Sequence, residues 1–213
     1  MADAELNWPK KGDKLFVGAL PDWQHNACIG YLGDSVSNWD LYVEGYRKAA
    51  DAIVGHLMED RSELDFMVFP VVYLYRHHVE IALKTIIMLA RRLNDEEGGV
   101  PTGHKLLDLW RMARTLLERE WPKNDTVPLD AVESCIRELV EFDPGSDAFR
   151  YPVGKDKSKH LEGLTHVNVR HLAEVAGRMS DFLLSCIVGL WETVDQREEY
   201  LSDMRSMYGP GEW

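Results

Sequence analysis

Tyr75-Arg76-His77-His78-Val79-Glu80-Ile81-Ala82-Leu83-Lys84 sets five charged or imidazole side chains into an otherwise apolar helical stretch. Burying an unpaired charge is costly, so water, a ligand, a partner chain or other polar groups of the fold must meet them. Tyr73, His77, Glu80 and Lys84 follow at steps of four, three and four and share one helical face, while Arg76 stands four residues before Glu80 and can pair with it. His78 points about a hundred degrees away from His77. Two chemistries fit. One is a polar seam that binds a phosphate or nucleotide through Glu80 and Lys84, with Arg76 and His77 as catalytic groups. The other is an internal Arg76–Glu80–Lys84 network that fixes helix register, with His77 hydrogen-bonded and inert.

Two further segments carry candidate groups. His104 opens the next helical stretch, where a cation is disfavoured by the helix dipole and a neutral imidazole with a specific bond fits better. Asp108, four positions on, shares its face and is placed to orient it, so His104 is a catalytic candidate and Asp108 a ligand-binding one. In Phe149-Arg150-Tyr151-Pro152 an arginine flanked by aromatics and followed by proline suits capture of a carboxylate or phosphate, with Arg150 and Tyr151 as binding residues. The competing role for Arg150 is to anchor its loop to Glu80 or to a helix C-terminus. Lys155, Lys157 and Lys159 add positive charge, which is more often a solvated loop.

Other chemistries lack their signatures. His77-x-x-Glu80 is a single, reversed instance of the Glu-x-x-His pattern that di-iron bundles use twice, so no metal is expected. There is no G-x-S-x-G element, and no P-loop or G-x-G-x-x-G, so no cofactor is expected either.

Positioning these groups falls to a helical scaffold. Tyr42, Tyr46, Ala49, Ile53 and Leu57 mark one apolar stripe on a first helix from Trp39 to Asp60, with Ser37 or Asn38 as its cap. A second helix spans Asp65 to Asn94, with Pro70 tolerable in its first turns. A third starts after Thr102, a candidate cap, and closes at Pro122; Leu106, Leu109, Trp110, Ala113, Leu116 and Leu117 give its period. A fourth follows Thr126, with Pro128 early, and stops at Asp143-Pro144-Gly145. Residues 143–166 read as a loop longer than bundle connections usually are. A fifth helix begins near Asn168 and continues through the charged segment Asp195 to Arg205, before Gly209-Pro210-Gly211. The expected architecture is an all-α antiparallel bundle of about five helices over residues 38–205. An irregular N-terminal arm, residues 1–37, packs on it through Trp8, Trp23 and Tyr31 and holds a short strand at Lys14 to Gly18; residues 206–213 form a tail.

The bulk composition bounds the partners. A net charge of −12 argues against broad electrostatic binding of nucleic acid, although not against a local basic patch. Cys28, Cys135 and Cys186 lack any paired spacing, which fits a reducing cytoplasm. The N-terminus shows no secretory pattern, and the longest apolar run is too charged for a membrane span.

The run Tyr75 to Lys84, then Gly103-His104-Lys105-Leu106, then Phe149-Arg150-Tyr151-Pro152 resembles a pattern of bacterial HEPN-like proteins (higher eukaryotes and prokaryotes nucleotide-binding), where an early xxELxLK helix precedes H-x-L at the next helix. The resemblance covers residues 39–195. It implies an all-α domain, usually a homodimer; members are often ribonucleases of toxin–antitoxin or phage-defence systems, and others are ligand-binding or scaffold domains. Its catalytic members carry Arg, four to six residues, then His. Here Arg76 meets His77 at once, Arg170 meets His171 at once, and Arg150 precedes His160 by ten positions. RNA cleavage would therefore need Arg76 or Arg150 to converge with His77 or His104 from separate elements. The resemblance implies binding of a nucleotide, RNA or an antitoxin-like protein in a bacterial stress or defence setting. The alternative is a non-catalytic dimerising module whose polar cluster is structural and whose last helix supplies the dimer surface.

Overall fold

The computed structural model describes residues 8–18, 21–29, 37–96, 98–154 and 157–208. It divides into two units, Met1–Asp34 and Ser35–Trp213. In the first, the regular element among the described residues is one 3-10 turn, Trp23–His25. Lys14 to Gly18, the place of the expected short strand, carries no strand and pairs with no ladder among the described residues. Tyr31, Lys155, Gly209, Pro210, Gly211 and the side chain of Ser37 lie outside the described residues.

The second unit is all-α: α1 (Ser37–Glu59), α2 (Leu64–Leu93), α3 (Leu106–Glu120), α4 (Val127–Phe142) and α5 (Val169–Tyr208). α2 is its central element and packs on α1, α3 and α5. From His78 to Ala90 every residue of α2 is buried, as expected of a helix whose apolar side chains run round its whole circumference. A larger core gathers Val79, Leu83, Ile86 and Ile87 with Trp110, Ile136, Leu183 and Leu190. A smaller one joins Ala50, Leu57, Val71, Tyr75, Val169 and Ala176. Pro70 sits inside α2 rather than in its first turn; the N–H it lacks frees the carbonyl of Phe66, on a side where Phe66 itself is exposed.

Three details differ from the sequence reading, each for a local reason. The buried line on α1 is Val43, Ala50, Val54 and Leu57, whereas Tyr42 and Ala49 face solvent. The helix is turned so that the carbonyl of Val43 meets Nδ1 of buried His78 on α2, at 2.9 Å. α3 starts at Leu106, with Lys105 extended at its cap rather than Thr102; residues 101–105 stay outside the helix, where the backbone and side chain of His104 bond to Arg76 and Glu80. At α4, the side chain of Thr126 makes no cap bond; Asp125 instead accepts from the N–H of Val127 at 2.9 Å. Asn168 caps α5 by accepting from His171 N–H at 3.0 Å, and α5 continues without a break through Asp195 to Arg205.

The connection between α4 and α5 is folded rather than open. Among the described residues an antiparallel bridge joins Val153 to Lys159 within it. Cys186 is buried among apolar neighbours, which pushes its thiol up to about 11. Among the described residues no helix is long and apolar enough to cross a membrane.

Candidate functional site

Arg76 is the most deeply placed charge of the fold: its side chain is fully buried. Three elements meet it. Its Nε lies 3.1 Å from Asp143 Oδ2 at the end of α4. Its Nη1 lies 3.4 Å from Glu80 Oε2 on α2. Its Nη2 donates to the carbonyl of His104 before α3, also at 3.4 Å. These contacts are long for charge-assisted hydrogen bonds, and the Nε–Asp143 approach is coulombic rather than an aligned hydrogen bond. Burial lowers the Arg76 pKa, while Asp143 and Glu80 oppose the shift. The guanidinium stays charged and locks α2, α3 and α4 together.

Asp143 read from sequence as no more than part of a helix stop. Its Oδ1 accepts from the N–H groups of Asp147 and Ala148, at 2.8 and 3.0 Å, while Oδ2 faces Arg76. One carboxylate thus closes the turn that presents Arg150 and compensates the buried cation. An aspartate just before Pro144-Gly145-Ser146 was the available signal, since such a side chain commonly accepts from the following backbone.

Glu80, one turn on, is also buried and serves two donors with one oxygen. Lys84 Nζ lies 3.0 Å from Oε1 and His104 Nδ1 lies 2.7 Å from the same atom. Burial raises the Glu80 pKa, but the bonds from His104 and Lys84 outweigh it and hold the carboxyl below its usual range. Lys84 is nearly buried, whereas the His104 side chain is 71% exposed. With Nδ1–H given to Glu80, Nε2 is the ring nitrogen left without a hydrogen-bond partner among the described residues.

His77 lies beside this pair, half-buried in an aromatic frame. Tyr46 of α1 meets it edge-on at 4.4 Å between centroids, and Tyr73 stacks on it at 5.7 Å. It makes no hydrogen bond among the described residues, so the inert hydrogen-bonded form is not the one observed. Burial lowers its pKa most, against the pull of Glu80. Arg150 lies over Tyr73: its Cζ is 5.4 Å from that ring and 5.5 Å from the ring of Tyr151. Its Nε donates to Ser146 O at 2.6 Å, and no carboxylate pairs with it among the described residues. It therefore anchors to its own loop, not to Glu80. Tyr151 is exposed and its carbonyl is held by His160 Nδ1–H at 3.0 Å.

The structure thus gathers Arg76, His77, Glu80, Lys84 and His104 round one stretch of α2, with Arg150 and Tyr151 at its edge. Asp108 does not join them. His104 precedes the helix, so the two share no helical face, and Asp108 pairs with Arg111 at 3.2 Å. Lys157 and Lys159 are exposed in the connection between α4 and α5. His78 is turned away from this cluster toward α1; burial lowers its pKa, and it donates Nδ1–H to the carbonyl of Val43. Among the described residues no three His, Cys, Asp or Glu side chains converge as metal donors. No family model, curated protein or solved structure matches the chain.

Proposed function

We propose that this chain is a HEPN-like helical domain that binds a nucleotide or RNA on the face formed by His77, His104, Arg150 and Tyr151, in a bacterial stress or defence setting. The observation that carries this reading is the pairing of roles across Glu80. Behind it, Arg76, Asp143 and Lys84 are committed to holding helices together. In front of it, His104 is oriented with Nε2 unoccupied, and Arg150 offers a guanidinium that lies over two aromatic rings and holds no carboxylate among the described residues. A guanidinium of that kind suits a phosphate, and stacked rings suit a base. The net charge of −12 makes such binding local and sensitive to salt.

The same geometry permits a cleavage step. His104 Nε2 would accept the 2′-hydroxyl proton as the 2′-oxygen attacks phosphorus, and Arg150 would stabilise the phosphorane charge. The 5′-oxygen would leave as an alcohol after taking a proton from solvent. Arg76 then acts as a positioning group, because no phosphate reaches a fully buried guanidinium. The test is the imidazole resonances of His104 during titration with a nucleoside monophosphate and with a short RNA. Saturable shifts that disappear in Arg150→Ala support the reading; unmoved resonances with both ligands sink it.

A second reading, a non-catalytic dimerising module, is favoured by one observation: Arg76, Asp143, Glu80 and Lys84 spend their charges on contacts within the fold. On that reading His104→Ala changes stability only, and the chain sediments as a dimer.

A further inference from the structure

A cavity of about 590 Å³ opens between the end of α1, the start of α2 and the segment that leads into α5. Its lining includes Leu64, Val68, Phe149 and Leu164, of which Phe149 is only 8% exposed. Two arginines line the same space: Arg61, from the short 3-10 turn Arg61–Glu63, and Arg170, from the first turn of α5. Neither has a carboxylate within ion-pair distance among the described residues. The bond seen for the Arg170 side chain runs from Nε to Met58 Sδ at 3.5 Å, and a thioether is a weak acceptor.

Many arginines of the fold are paired, although Arg91, Arg150, Arg178 and Arg205 also have no ion pair among the described residues. Arg47, Arg92, Arg114, Arg119, Arg137 and Arg197 each hold a carboxylate. With 36 acidic residues against 24 basic ones, acceptors are abundant, yet these two guanidiniums remain without one over a shared apolar floor. Asp65 also lines the cavity and offsets one of the two charges, so the balance there stays positive against an acidic whole. A second, mostly apolar cavity of about 240 Å³ adjoins it through Phe149 and Leu164 and runs on past Val72, Leu139 and Met179.

We propose that the cavity binds a small amphiphilic anion, with a carboxylate or phosphate head between Arg61 and Arg170 and an apolar body on Val68, Phe149 and Leu164. Its volume lies in the range typical of small-molecule sites. Guanidinium forks match both head groups, and the adjoining cavity gives a longer apolar body somewhere to go. The inference stands on residues other than His104 and Arg150 and does not depend on the function proposed above.

The test is calorimetric titration of the full chain with octyl phosphate, octanoate, adenosine monophosphate and inorganic phosphate. The expected result is saturable binding of an amphiphile, with inorganic phosphate at least about tenfold weaker, since it lacks the apolar body. Arg61→Gln and Arg170→Gln should each weaken octyl phosphate binding about tenfold, and Arg205→Gln, at an exposed arginine outside the cavity, should leave it unchanged. Octyl phosphate and octanoate binding would assign a lipid-like body; adenosine monophosphate binding that depends on Arg61 and Arg170 would assign a nucleoside. Both residues are exposed, so neither substitution threatens folding. No binding by any probe, equal affinity for inorganic phosphate, or indifference to both arginine substitutions would overturn the proposal.

Discussion

His104 Nδ1 and Glu80 Oε1 meet at 2.7 Å across 24 positions of sequence. One partner is 71% exposed at the side chain and the other 4%. That contact is where the buried ionic lock of the bundle reaches its surface. It accounts for the extended approach to α3, for the orientation of the imidazole and for the depressed pKa of the carboxyl.

Replacing Glu80 by Gln leaves shape almost unchanged but removes the charge facing Lys84, Arg76 and His104. Breaking a buried charged cluster from one side costs about 3 kcal/mol. Urea denaturation should show the loss as a lower midpoint at constant slope. His104→Ala, at an exposed partner, should cost less than about 1 kcal/mol.

Asp143→Ala should be at least as damaging, at about 3–5 kcal/mol, because it strands Arg76 and frees two backbone donors together. Asp143→Asn keeps an acceptor for the turn and should fall between Ala and wild type. Hydrogen exchange at the amides of Asp147 and Ala148 is the local readout: faster in Ala, nearly unchanged in Asn.

The helices were legible in the sequence because their apolar periods are long and their ends are marked by Pro128, Asn168 and the Asp143-Pro144-Gly145 segment. The phase of α1 was not. Tyr42 and Ala49 fit the period as well as Val43 and Ala50 do, and the choice is made by His78, 35 positions beyond Val43. The cluster on α2 was legible as a set of groups needing partners, but the partners were less so. Asp143 lies 67 positions from Arg76, and no local pattern joins them. Asp108 was drawn to His104 by spacing that holds only if both belong to one helix, and the tertiary bonds of His104 keep it out of α3.

Acid stability should follow the Glu80 carboxyl. Its folded pKa lies below its ordinary value, so its contribution is complete above about pH 4.3 and is lost as pH falls through the folded value. Unfolding midpoints measured from about pH 7 to about pH 3 should fall less steeply in Glu80→Gln than in wild type over the acid part of that range.

His77 and His78 add a step at milder pH. Burial lowers both folded values, so the unfolded chain binds protons first and stability declines as pH falls below about 6.5. His77→Phe keeps a ring between Tyr46 and Tyr73 and removes one titrating group. Its stability profile should be flatter at about pH 6, below the free imidazole value.

The central claim is that Arg150 and His104 present a ligand face in front of the buried lock. Fluorescence anisotropy of a labelled single-stranded RNA at low salt tests it most directly. The account predicts saturable binding that weakens about tenfold or more in Arg150→Ala and also falls in His104→Ala, with unfolding midpoints close to wild type. Absence of binding by the wild-type chain, or equal binding by both variants, would contradict it.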